Sequence, residues 1–219
     1  MVGDLVTRLT FYRLRAAVEI VDRSDSLSVY VIWDGAPAET GDGVAYADPR
    51  LKALGHRLIA HSARDALKAW CDEAPADVYH AHRIALGVPE GGIDFPFGDT
   101  FPHEADYDQL AGVDFAKGCF VGQEVVSRMQ HRGTARKRVV PVAGTGALVP
   151  GAEITADGRA IGTLGSVADG RALAMLRLDR VEKAVSEGKQ LEAGGVALTL
   201  IQPDWADFTV PGTGGAASS

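Results

Sequence analysis

The chain has 219 residues, of which 46% are hydrophobic and 23% charged, and a formal net charge of −7 at pH 7. That is enough chain to bury a real core in one large or two small domains, and the acidic balance argues against general binding to nucleic-acid phosphates. No apolar run approaches a membrane-spanning length, and Asp4 interrupts the segment where a signal peptide needs apolar residues, so a cytoplasmic protein without a membrane partner is expected.

Residues 4 to 14 read as an amphipathic helix with Leu5, Leu9 and Tyr12 on one stripe. Ala17 to Ile20 and Leu27 to Val31 alternate like strands around the polar turn Asp22-Arg23-Ser24-Asp25, which predicts a hairpin. A second helix is expected from Pro75 to Leu86, with Val78, Ala81 and Ala85 inward, Arg83 on roughly the opposite side and Gly87 as its stop. Pro89 to Asp99, rich in glycine and proline, reads as a loop able to line a ligand on the way to Pro102-His103-Glu104.

The run Lys117-Gly118-Cys119-Phe120-Val121-Gly122-Gln123-Glu124 places one of only two cysteines in a glycine-framed turn that opens a short helix. Val125, Val126 and Met129 fall along one side of that helix, Glu124 stands four residues before Arg128, and Gly133 ends it. The positive helix start and the ammonium of Lys117 both favour thiolate over thiol at Cys119. A small buried apolar cysteine is the competing reading. Two cysteines are too few for a disulfide scaffold, so Cys71 and Cys119 are expected as thiols. No histidine has a partner at metal-ligand spacing, and His80 and His82 point to different helix faces. No metal site is expected, and one cysteine cannot supply the several thiolates of a stable iron–sulfur cluster. Arg128, His131, Arg132, Arg136, Lys137 and Arg138 follow closely. A solvated helix end and strand edge accounts for most of them, with Arg128 and Arg132 the better candidates for ligand contact.

Beyond residue 133 short strands take over: 138–142, 160–167, 172–178 and 196–201. The sequence Ala-Asp-Gly-Arg-Ala occurs at 156–160 and again at 168–172, and each Asp-Gly predicts a hairpin turn of an antiparallel meander. Gly144-Thr145-Gly146 reads as a turn. The expected organisation is an α+β module over 1–133, a small antiparallel β-barrel over 134–205 and a flexible tail over 206–219.

The eight-residue run, together with Phe101-Pro102-His103-Glu104, Asp106-Tyr107-Asp108, Leu9 to Arg15, Ala47-Asp48-Pro49-Arg50 and Arg83 through Pro89, resembles the signature of the YgfZ family. These are folate-binding relatives of the glycine-cleavage T-protein, an aminomethyltransferase. The resemblance runs from about residue 4 to about residue 203. It implies a T-protein-like folate-binding fold, N-terminally incomplete here, followed by the barrel. It also implies a tetrahydrofolate (or folate-derivative) ligand and a role in assembly or repair of iron–sulfur clusters, with client enzymes or assembly proteins as partners. The T-protein's catalytic aspartate belongs to the portion expected to be missing, so aminomethyl transfer in glycine cleavage is not expected.

By the same resemblance Lys117 and Cys119 form the functional pair. Glu104 matches the acid expected at the pterin's aminopyrimidine edge. Arg83 aligns with an arginine in the related folate enzymes and is a candidate to meet a ligand carboxylate, with a solvated face as the competing reading. Gly118 and Gly122 allow turn geometry or close approach. Gln123, Glu124 and Arg128 complete the candidate ligand set, although Glu124 also suits its helix's first turn. Nucleophile, redox thiol and transient contact with a cluster or client all fit Cys119. A folate-dependent one-carbon transferase or demethylase and a non-catalytic interaction module are the alternatives in other classes.

Overall fold

A computed structural model describes residues 2–37, 43–61, 64–68, 71–118, 123–132 and 135–214. The chain divides into two compact units, Met1–Asp48 with Gly55–Glu73, and Pro49–Leu54 with Ala74–Ser219. The break after residue 73 differs from the expected boundary at 133, because residues 74–132 group with the barrel.

The first unit begins with helix α1, Val2–Tyr12, in which no residue is buried. Leu5, Leu9 and Tyr12 share a stripe as expected, yet all three are exposed. Its sheet has strands β1 (Ser28–Ile32), β2 (Val44–Ala47) and β3 (His56–Ala60) in the order β1-β3-β2, antiparallel throughout. The hairpin expected over 17–31 does not form. Residues 16–23 carry no strand, and β1 pairs with β3, Ser28 opposite Ala60 and Ile32 opposite His56. Ile32, Leu58, Ala60 and Leu67 of the short helix α2 (Arg64–Leu67) make its core, against which Cys71 packs with its thiol donating to Leu67 O at 3.1 Å.

The second unit contains α3 (Ala76–Ala85), α4 (Glu124–Arg132) and a closed six-stranded antiparallel barrel. The strands are β4 (Lys137–Gly144), β5 (Glu153–Ala156), β6 (Arg159–Ala168), β7 (Arg171–Arg177), β8 (Leu191–Ala193) and β9 (Val196–Leu200), in the order β4-β7-β6-β5-β8-β9. Helix α5, Leu178–Ser186, follows β7 and buries Val181 and Ala184. Asp157-Gly158 and Asp169-Gly170 have positive φ at both positions, between 50° and 72°. That is the type I′ geometry matching the strand twist, and it joins β5 to β6 and β6 to β7 as the repeat implied. Val140, Val142, Ile154, Leu164, Leu176 and Leu198 fill the barrel core.

α3 starts after Pro75 and ends at Leu86, as expected, but its inward face is rotated. Val78 and Ala85 are exposed, whereas Arg83 and Ile84 are buried. The expected tail is ordered at its start: Val210 is fully buried in the barrel core, its N–H donating to Gln202 Oε1 at 2.8 Å.

Candidate functional site

A histidine joins the segment carrying Glu104 to residues on either side of the motif run, Phe115 before it and Gln130 after it. His103 is 2% exposed. Its Nε2 lies 3.2 Å from Gln130 Oε1 on α4, and its ring centroid is 6.1 Å from that of Phe115. The turn over 101–110 is thus tied both to the approach to the motif and to the helix after it.

Cys119 and Gly122 lie outside the described residues. Gly118 has φ 88°, and a Cβ added there would meet no atom of the described residues within 4 Å, so the backbone conformation is what favours glycine. Lys117 is exposed beside it. Gln123 is half-buried and its carbonyl accepts the Ser127 N–H at 3.0 Å, which starts α4. Glu124 sits in the exposed first turn, where a carboxylate complements the positive helix end. Arg128 is exposed one turn later. Glu104 is half-buried, and its Oε2 accepts the Phe101 N–H at 3.2 Å.

Arg83 is not on a solvated face. It is 3% exposed, and its guanidinium donates to Asp94 Oδ2 at 2.8 Å, Val88 O at 3.0 Å and Ser166 Oγ at 2.7 Å, with Nε 3.0 Å from Glu90 Oε2. Asp94 also accepts the N–H groups of Glu90 at 2.8 Å and Ser166 at 2.6 Å. Gly165 is required there, because a Cβ would come 2.5 Å from Asp94 Oδ1 and 2.9 Å from its Cα. The arginine fastens α3 and the 88–95 loop to β6.

Arg138, expected at a solvated strand edge, is also buried. Its Nη1 and Nη2 make a bidentate pair with Asp108 at 2.6 and 2.8 Å, and Nη1 donates to Asp106 Oδ1 at 3.1 Å and His103 O at 2.8 Å. The guanidinium stacks 4.5 Å over the Phe208 ring. Burial works against the charge of Asp108, but the bonds from Arg138 and Gln109 outweigh it and hold its carboxyl below the usual range. Asp106 is the opposite case. Desolvation dominates over Arg138, and its carboxyl is pushed up to about 8. One guanidinium already paired bidentately with Asp108 cannot fully compensate a second buried carboxylate, so Asp106 holds a proton at neutral pH. Among the described residues His103 Nδ1 and Asp106 Oδ2 are buried atoms without a hydrogen-bond partner. The sequence signal was an arginine that ends the run Arg136-Lys137-Arg138 and leads into an apolar strand, with two aspartates spaced two apart at 106 and 108.

Among the described residues no group of three or more histidine, cysteine or acidic side chains could hold a metal ion. Also among them, no helix is long and apolar enough to cross a membrane.

Residues 136–208 match the family model described as CAF17, C-terminal beta-barrel domain. Over 94% of its length the chain is 33% identical to the mitochondrial iron–sulfur cluster assembly factor IBA57 of Mus musculus, and over 93% it is 32% identical to that of Homo sapiens. It spans 62% and 61% of those two proteins. The IBA57 homologue of Mycosarcoma maydis is 38% identical over 64% of the chain and 35% of its own length. Among solved structures, the glycine cleavage system aminomethyltransferase T of Bartonella henselae superposes with a TM-score of 0.52 at 15% identity, covering 69% of this chain and 46% of that one. The fold is therefore mixed α and β, like that of the aminomethyltransferase, with a C-terminal antiparallel barrel. The curated relatives bear the name IBA57 and not that of the family expected from the motif. The cytoplasmic expectation does not stand, because these relatives are mitochondrial proteins. The composition of a few leading residues was too slight a basis for an address.

Proposed function

We propose that this chain supports assembly or repair of iron–sulfur clusters in client enzymes, as a folate-binding accessory protein whose functional thiol is Cys119. The observation that carries the reading is similarity to proteins named iron–sulfur cluster assembly factors along 94% of the chain. The cluster and its client are cargo, and the partners are iron–sulfur enzymes or other assembly proteins. Depleting the protein in its host tests this. Iron–sulfur enzyme activity per unit of enzyme protein should fall and return with the wild-type gene, but not with Cys119→Ser. Unchanged activity on depletion would rule the role out.

The residues fit a folate only in part. Arg83 is committed to Asp94, Val88 and Ser166 and does not suit a ligand carboxylate. Glu104 does suit the pterin edge: one carboxylate oxygen is held by the Phe101 N–H, and no protein donor reaches Oε1 among the described residues. A carboxylate oriented in this way accepts from an aminopyrimidine edge with charge-assisted strength, and bound folate would supply one-carbon chemistry. Calorimetry with tetrahydrofolate should show saturable binding weakened on the order of tenfold by Glu104→Ala. No heat with wild type removes folate from the reading, and an unchanged affinity in the variant removes Glu104.

A further inference from the structure

The first copy of the Ala-Asp-Gly-Arg-Ala repeat lines a cleft that neither the motif nor the two buried arginine networks use. Ala156, Arg159 and Ala160 from the β5–β6 hairpin face Arg180, Lys183 and Ala184 of α5 across about 520 Å³, within the range of small-molecule sites. Its floor is apolar: Ala156, Ile161 and Ala184 are each 5% exposed or less. Its rim is cationic, with Arg159, Arg180, Lys183 and Lys189 against the single carboxylate of Glu187 among the lining residues. In a chain of net charge −7 this concentration of positive charge runs against the average.

The rim is held in place. Arg180 Nη1 donates to Ala160 O at 2.7 Å, which fixes the guanidinium across the hairpin. Lys189 is clamped between Asp157 at 2.9 Å and Glu187 at 2.8 Å. Arg159 and Arg180 have no carboxylate within ion-pair distance among the described residues, and Lys183 reaches Glu187 only at 3.8 Å. The second copy of the repeat behaves differently. Arg171, the counterpart of Arg159, directs Nη1 to Ala85 O at 3.4 Å and does not line the cleft. The shared Asp-Gly turn is structural, and the cleft is particular to the first copy.

We propose that this cleft binds a small organic anion, an apolar body ending in a carboxylate or phosphate, with the body on Ile161 and the head group between Arg159, Arg180 and Lys183. An apolar floor beside the fixed guanidinium of Arg180 suits such a ligand, because the body leaves water where it meets the floor, and the rim supplies charge-assisted hydrogen bonds.

Titration of the full chain with octanoate and with phenyl phosphate, followed by amide chemical shifts, tests it. Saturable shifts clustered at 156–161 and 180–189 are expected for at least one of the two, the tighter naming the head group. Affinity should fall on the order of tenfold in Arg159→Glu with Lys183→Glu, two exposed positions, with an unchanged melting temperature. Lys183→Glu alone provides a second variant that perturbs the fold less. Shifts that do not saturate, an unchanged affinity in both variants, or inorganic phosphate binding as tightly as phenyl phosphate would each overturn the proposal.

Discussion

Asp106 shows how one residue can set a pH response for the fold. Its side chain is fully buried, its carboxyl is pushed up to about 8 by desolvation, and the neighbouring Arg138 is already matched by Asp108. Below the ordinary value of 3.8 both folded and unfolded chains hold the proton. Between 3.8 and about 8 the folded state keeps a proton that the unfolded chain releases, so this group's contribution to stability declines as pH rises through that window and levels off above it. Asparagine preserves the shape and removes the titration. Asp106→Asn should therefore match wild type within about 1 kcal/mol near pH 4 and gain on it steadily toward pH 8, measured by thermal unfolding across that range. A wild-type advantage that grows with pH would show that Asp106 is ionised in the fold. The motif thiol is a different matter, since Cys119 lies outside the described residues, and its reactivity is addressed by the depletion and rescue experiment.

Among the elements, boundaries were more legible in the sequence than faces and partners. Pro75 and Gly87 bracket α3 as backbone chemistry requires, and the two Asp-Gly turns place β5, β6 and β7 in one meander. The inward face of α3 escaped a reading by hydrophobicity because the residue that anchors it is Arg83, whose partner Asp94 lies in a loop and whose third contact, Ser166, is 83 positions away. β1 was expected to pair with its neighbour in sequence but takes β3, which no local pattern announces. β8 has only three residues and β5 four, too few for alternation to register. At the candidate site the motif segment and Glu104 were readable as residues, but the contact that ties the Glu104 turn to α4, His103 with Gln130, is a product of tertiary packing. Arg83 makes a measurable prediction of the element scale. Removing its guanidinium leaves Asp94 buried with only backbone donors, so Arg83→Ala should cost roughly 3–5 kcal/mol in urea unfolding. A loss below about 1 kcal/mol would mean that the arginine is not what holds α3 and its loop to β6.

Across the whole molecule the two units differ sharply in how much apolar surface they bury. The barrel closes on itself, which leaves no open sheet edge, and the interiors of β4, β6 and β7 are filled by fully or nearly fully buried side chains. Among its described residues the first unit has two sheet edges, β1 and β2, a core of four buried residues, and a helix with none. Helix α1 has 11 residues, close to the length at which an isolated helix is marginal in water, and Leu5, Leu9, Phe11 and Tyr12 gain nothing from burial. Free energies of opening should follow that gradient. In native-state hydrogen exchange the amides of Val140, Leu164 and Ala174 should be the slowest, exchanging near the global unfolding free energy. Those of β1 and β3 should exchange at a lower opening energy, and those of α1 should be nearly unprotected. Protection of α1 equal to that of β7 would mean that its apolar stripe is covered in solution, and measuring it at several protein concentrations would then identify the cover: a concentration-dependent protection points to a second copy, a concentration-independent one to this chain's own residues.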